Sequence, residues 1–150
     1  MVKSKSFKDI EDQIKPTYYT SDDDSIKDFM VPILKRCKYY KRESFSFSSG
    51  IFSLINDALP DMIDNGCKIE YIVGFDIGDE EKKAMSEGLE NNGDLVEKKI
   101  KEQFGNIENV INGLSKRGRD VFKYRLSILS YLISKRLLKL KVGFVSNKWG

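Results

Sequence analysis

The chain has 150 residues, 40% of them hydrophobic and 33% charged, with 26 lysines and arginines against 23 aspartates and glutamates for a net charge of +3. A chain of this length suits one domain and buries about 68–70% of its extended surface, enough for a core without staples, and the hydrophobic content excludes intrinsic disorder. So small a net charge is no signature of nucleic-acid binding, which must come from local clustering of cations. The polar opening Met1–Ser6 and the lack of any apolar run of about 18 residues predict neither a signal peptide nor a membrane span. A cytoplasmic location follows as the expectation, with Cys37 and Cys67 reduced and too widely spaced for a zinc site.

Residues 1–20 have weak periodicity and read as an N-terminal arm or short helix, leaving 21–150 as a single α/β domain. Ser21-Asp22-Asp23-Asp24-Ser25 supplies capping residues and negative charge where Ile26, Phe29, Met30, Ile33, Leu34 and Cys37 begin to recur at helical spacing, so the aspartates read as a helix start rather than a metal site. Pro32 is expected to kink or divide this helix. Lys38 to Arg42 is a basic and aromatic cluster, followed by a strand over Glu43–Ser48 in which aromatic and small polar residues alternate. Ser49-Gly50 breaks the strand, and Ile51 to Ile63 carries a broad apolar stripe on one helix stopped by Asn65-Gly66. Ile69 to Phe75 is a second strand, and the strand–helix–strand spacing is that of a parallel βαβ unit.

Three thinly apolar helices follow: one opened by Asp79-Glu80-Glu81, one over Leu95–Phe104 and one over Asn106–Leu114. After Gly118-Arg119-Asp120 comes the most hydrophobic helix, closing at Lys135-Arg136, and Leu138–Val145 alternates apolar and basic residues as a third strand. The expected fold is therefore α/β, a small, mainly parallel sheet of three or more strands with flanking helices.

The segments Tyr39-Tyr40-Lys41-Arg42-Glu43-Ser44-Phe45-Ser46-Phe47-Ser48-Ser49-Gly50 and Gly66-Cys67-Lys68-Ile69-Glu70-Tyr71-Ile72-Val73-Gly74 are similar to the first strand–helix–strand unit of a phospholipase-D-like domain of the helicase-associated or restriction type. The helix ending at Arg136 and the strand after it resemble the element that precedes the family's histidine–lysine motif. The resemblance implies a phospholipase-D-like half with a phosphodiester-cleaving site. In active members a histidine is the nucleophile and a lysine two residues on neutralises phosphate charge. Here Val145-Ser146-Asn147-Lys148-Trp149-Gly150 has the lysine, and the 150 residues contain no histidine. They are therefore not expected to hydrolyse phosphodiesters by that mechanism.

Cations gather at Lys35, Arg36, Lys38, Lys41 and Arg42, at Lys116, Arg117 and Arg119, and at Lys135, Arg136, Lys139 and Lys141. The first group interleaves with Tyr39 and Tyr40, which can stack on bases while the cations meet phosphates, although a solvated face accounts for the same pattern. Lys139 and Lys141 can equally guard an edge strand. Ser46, Ser48 and Ser49, next to Gly50 at a helix start, can hold a phosphate on backbone N–H groups or simply cap a turn. Asp76, Asp79 and Glu80 can bind a divalent ion, against helix capping by Asp79. Trp149 is either a terminal anchor or a partner-binding residue.

The expected function is that of a noncatalytic module of prokaryotic or viral defence or counter-defence, binding DNA, RNA, or a nuclease or helicase partner. No cofactor is called for, and the resemblance suggests a homodimer. The alternatives are a small protein-interaction inhibitor without nucleic-acid contact and, last, a metal-dependent phosphodiesterase.

Overall fold

The computed structural model describes residues 5–143. Three strands, β1 (Tyr39–Phe47), β2 (Lys68–Ile77) and β3 (Leu138–Val142), form a sheet in the order β1-β2-β3, and both pairings are parallel. Among the described residues seven α-helices accompany them, α1 (Val31–Leu34) ahead of β1, α2 (Gly50–Leu54) and α3 (Leu59–Asp64) between β1 and β2, and α4 (Asp79–Glu90), α5 (Gly93–Phe104), α6 (Ile107–Gly113) and α7 (Asp120–Ser134) between β2 and β3. The fold is the α/β class that the alternation of strand and helix patterns predicts.

Side chains alternate across a strand, so β2 presents Ile69, Tyr71 and Val73 to one face, and all three are buried. Against that face lies the apolar stripe of α7, with Ile128, Leu129 and Leu132 in the same core as Phe52 of α2 and Leu59 and Met62 of α3. Helix α7 is the hub: α4, α5 and α6 pack on it, which explains why single narrow stripes such as Val96 and Ile100 suffice for them.

The opposite face of the sheet carries Tyr39, Lys41, Glu43 and Phe45 from β1, Glu70 and Ile72 from β2, and Lys139 and Lys141 from β3. Tyr39 is 75% and Phe45 84% exposed, and no described helix covers them. Parallel sheets are ordinarily covered on both faces, so this open face sets the molecule apart.

Several local expectations are refined or corrected. Of the arm or short helix expected at the start of the chain, the described part holds a 3-10 helix, Phe7–Gln13, which opens on a reciprocal Ser6–Asp9 capping box, buries Ile10, and is tied down by a Lys5–Asp61 ion pair and an Arg36 Nε bond to the Ser6 carbonyl. The helix ahead of Pro32 is a π-helical stretch, Ile26–Met30, in which Val31 N–H donates to the Ile26 carbonyl before the prolines's missing donor is reached. Its cap is Asp24, whose carboxylate accepts from Lys27 N–H, while Asp23 pairs with Lys15. The single helix expected over Ile51–Ile63 is two, α2 and α3. Pro60 has no N–H to continue the α2 ladder, so the chain turns at Asn56-Asp57 and restarts with the proline in the first turn of α3. Strand β1 begins at Tyr39, inside the cluster read as its leader, because Tyr40 packs edge-on against Tyr71 of β2. The end of the third strand beyond Gly143, and the segment Val145–Gly150 with Trp149, lie outside the described residues.

Candidate functional site

The geometry at the carboxyl end of β1 follows from a break in strand register. Ser44 pairs with Val73 but Ser46 with Asp76, so β2 places two residues, Gly74 and Phe75, against Phe45. A Cβ on Gly74 would sit 2.5 Å from the Phe45 carbonyl oxygen, so only glycine allows this bulge. The strand bends around Tyr71, whose ring lies 5.9 Å from that of Tyr40 and 5.8 Å from that of Phe47. Seven residues of straight strand would span about 23 Å.

Inside the bend is a pocket of about 420 Å³. Its rim is polar, formed by Arg42, Ser44, Ser46 and Ser48 along β1 and the turn after it, and its floor is apolar, formed by Tyr71 and Val73 of β2 and Ile51 and Leu54 of α2. Arg42 is exposed and makes no ion pair among the described residues. Ser44 donates its hydroxyl to the Ser46 carbonyl at 2.8 Å, and Ser48 Oγ accepts from Gly50 N–H at 3.2 Å. Ser48 therefore keeps its hydroxyl hydrogen for a ligand, as does Ser46, whose hydroxyl has no partner among the described residues. The Tyr71 hydroxyl is buried and unpartnered. Burial, with the neighbouring Tyr40 adding to it, pushes this phenol far above its usual range despite the opposing pull of Arg42.

A second arginine flanks the pocket. Arg125 of α7 donates from Nε to Ser53 Oγ at 2.9 Å, and its Nη1 lies close to Gly50. The turn itself is held by Ser49, which is buried and donates to Glu81 Oε1 at 3.2 Å. That bond joins the loop after β1 to the first turn of α4 after β2. Gly78 leaves room for the carboxylate, because a Cβ there would fall 2.3 Å from Glu81 Oε2.

The candidates from the sequence are distributed unevenly. Arg42 and Ser48 meet at the pocket; Ser49 is a structural residue behind it. Phosphate binding on the amides at the start of α2 does not hold, because Gly50 N–H is taken by Ser48 Oγ, and Ile51 and Phe52 N–H by the Ser48 and Ser49 carbonyls. Tyr39 and Lys41 lie on the open sheet face, while the alternation of the strand turns Tyr40 inward. Lys38 is exposed just before β1, and Lys116, Arg117 and Arg119 are exposed in the α6–α7 connection. Lys141 is paired with Glu70 at 3.0 Å, with Lys139 beside it; the Lys141 hydrogen bond, and then Lys41 and Lys139, hold the Glu70 carboxyl below the usual carboxylate range. Lys135 is engaged by Glu97. Asp76, Asp79 and Glu80 are exposed, and no three acidic or cysteine side chains among the described residues come together to hold a metal ion. Burial, reinforced by Cys37, pushes the Cys67 thiol up to about 11, so it stays protonated at neutral pH.

Arg125 and Tyr71 belong to the site without having been singled out in the sequence. The one visible signal for Arg125 was a cation inside the apolar stripe of α7; for Tyr71, an aromatic hydroxyl in the middle of a buried strand. No helix of the described residues is long and apolar enough to cross a membrane. Comparison with protein-family models, with curated proteins and with solved structures gives no match.

Proposed function

We propose that the chain is a phospholipase-D-like half that binds nucleic acid through a backbone phosphate seated in the β1 pocket. One observation carries the reading: Arg42, with no acidic partner among the described residues, stands over a rim of serine hydroxyls in a concave site at the carboxyl end of a parallel strand. Open α/β sheets bind their ligands at that end. A guanidinium presents paired donors that match phosphate oxygens, and the Ser46 and Ser48 hydroxyls add donors beside it. Lys38, exposed just before β1, adds a cation to the approach, while Lys41 lies on the other face of the sheet. The reading also draws on the resemblance of the Tyr39–Gly50 and Gly66–Gly74 segments to that family.

Fluorescence anisotropy with single- and double-stranded DNA and RNA across a salt series tests it. Phosphate neutralisation releases counterions, so log K is expected to fall linearly with log salt concentration. Affinity that does not depend on salt, or no affinity for any of the four, overturns it.

A protein partner is the second reading, and the open sheet face favours it. Tyr39 and Phe45 are large and exposed, Phe45 shares a hollow with Ile72, and a parallel sheet gains by covering such a face.

A further inference from the structure

We infer that the β1 pocket takes one unpaired nucleobase, so that the chain prefers single strands to duplex. This rests on the phosphate reading above and goes beyond it, because a phosphate needs only the rim. Phosphate oxygens are satisfied by Arg42 and the serines, whereas beneath them the pocket continues to an apolar floor whose accessible surface is that of Ile51 and Leu54, with the buried Tyr71 and Val73 behind them. The apolar surface there is left uncovered by the fold: Leu54 is 56% exposed and Ile51 is half-buried, although both belong to a helix that otherwise buries Phe52 completely. A volume of about 420 Å³ falls in the range of pockets that enclose small ligands, roughly 300–1,000 Å³.

The occupant must be flat enough to lie on the aliphatic side chains of Ile51 and Leu54, must carry hydrogen-bonding edges for serine hydroxyls, and must be joined to an anion at the mouth. A nucleotide has all three features. Serine hydroxyls both donate and accept, so every base finds partners and the site discriminates little among sequences. A base stacked and paired in a duplex has neither a free face nor a free edge, and only an extruded or single-stranded base can enter.

The test uses the chain with three probes at one salt concentration and repeats them across a salt series: pentathymidylate, the same pentamer with all bases removed and its charge unchanged, and a short duplex. Each is measured against the unaltered chain and Leu54→Gln, an exposed uncharged substitution that leaves the rim intact. Base stacking on a protein is worth roughly ten-fold or more in affinity. The inference expects pentathymidylate to bind at least about ten-fold more tightly than the baseless strand and the duplex, with Leu54→Gln removing most of that difference and leaving the baseless strand unaffected. Equal, salt-dependent binding of base-bearing and baseless strands overturns the base pocket and leaves the phosphate reading standing. Binding of the duplex as tightly as the single strand also overturns it. No salt-dependent binding of any probe overturns the phosphate reading, and the base pocket with it.

Discussion

The two faces of the sheet are built from the same three strands and have opposite fates. On one, Ile69, Tyr71 and Val73 are shut in by α7, α2 and α3; on the other, Tyr39, Lys41, Phe45, Lys139 and Lys141 stand in solvent. The difference arises because β2 alternates strongly apolar with half-polar positions and β3 places a lysine at every second residue, while the outer side of β1 carries Tyr39, Lys41, Glu43 and Phe45. Stability is therefore concentrated on one face, and the other is free to carry charge. The pocket lies where this division fails, at the bend of β1, where the inward side of the strand runs beyond the reach of the five-residue α2.

Truncating one aromatic side chain on each face should separate the two faces by the widest margin. Phe52→Ala, at a side chain with 0% exposure packed on Phe47, is expected to lower unfolding free energy by about 3–5 kcal/mol. Phe45→Ala, on the open face, is expected to change it by no more than about 0.5 kcal/mol. Denaturant melts of the two variants settle the point; equal losses would mean that the open face is packed after all.

A smaller effect belongs to the bond that ties β1 to α4. Glu81→Ala leaves the buried Ser49 hydroxyl without its acceptor and is expected to cost about 1–3 kcal/mol. Glu81→Gln keeps an acceptor there and should recover most of it, read in the same melts.

Helix ends provide a contrast of about 1 kcal/mol. Helices α3 and α7 both finish with a residue in the left-handed region that turns the chain into the next strand, Gly66 at φ 62° and Arg136 at φ 59°. Glycine adopts this region freely and arginine does not. Arg136→Gly is accordingly expected to raise stability by about 1 kcal/mol, while Gly66→Ala lowers it by a similar amount.

The smallest effect lies on the open face. Because Lys141, Lys41 and Lys139 hold Glu70 below the usual carboxylate range, its contribution is present above that range and is lost as pH falls through the lowered value. An NMR titration of Glu70 should show this, and Lys141→Gln should move its midpoint upward. High salt should do the same, since the pair is exposed.

Much of the fold was legible from periodicity. The order of strands and helices and the strongly apolar Val121–Ile133 stripe follow from 3.6- and 2-residue spacing, because burial on one face is a property of each segment alone, and the parallel pairing of β1 with β2 follows from the strand–helix–strand spacing. What sequence reading lost were the features decided by other segments or by a missing donor. Pro60 divides a stripe that looks continuous, and Tyr40 begins β1 early because Tyr71 is there to receive it. At the site, Arg42, Ser46 and Ser48 were visible as polar residues on a strand running into a turn. Arg125 was not, since Ser53 is 72 positions away and only the packing of α7 on α2 brings them together. At Gly50 to Phe52 the two readings open in the sequence, phosphate cradle and capped turn, are decided locally: a serine and two carbonyls of the turn satisfy the amides.

The most direct measurement compares the salt dependence of single-stranded DNA binding by the unaltered chain and by Arg42→Gln. A guanidinium seated on a phosphate contributes about 0.7 to the slope of log K against log salt on a single strand, so the variant should bind more weakly with a slope shallower by about that amount. An unchanged affinity and slope would contradict a phosphate held at Arg42.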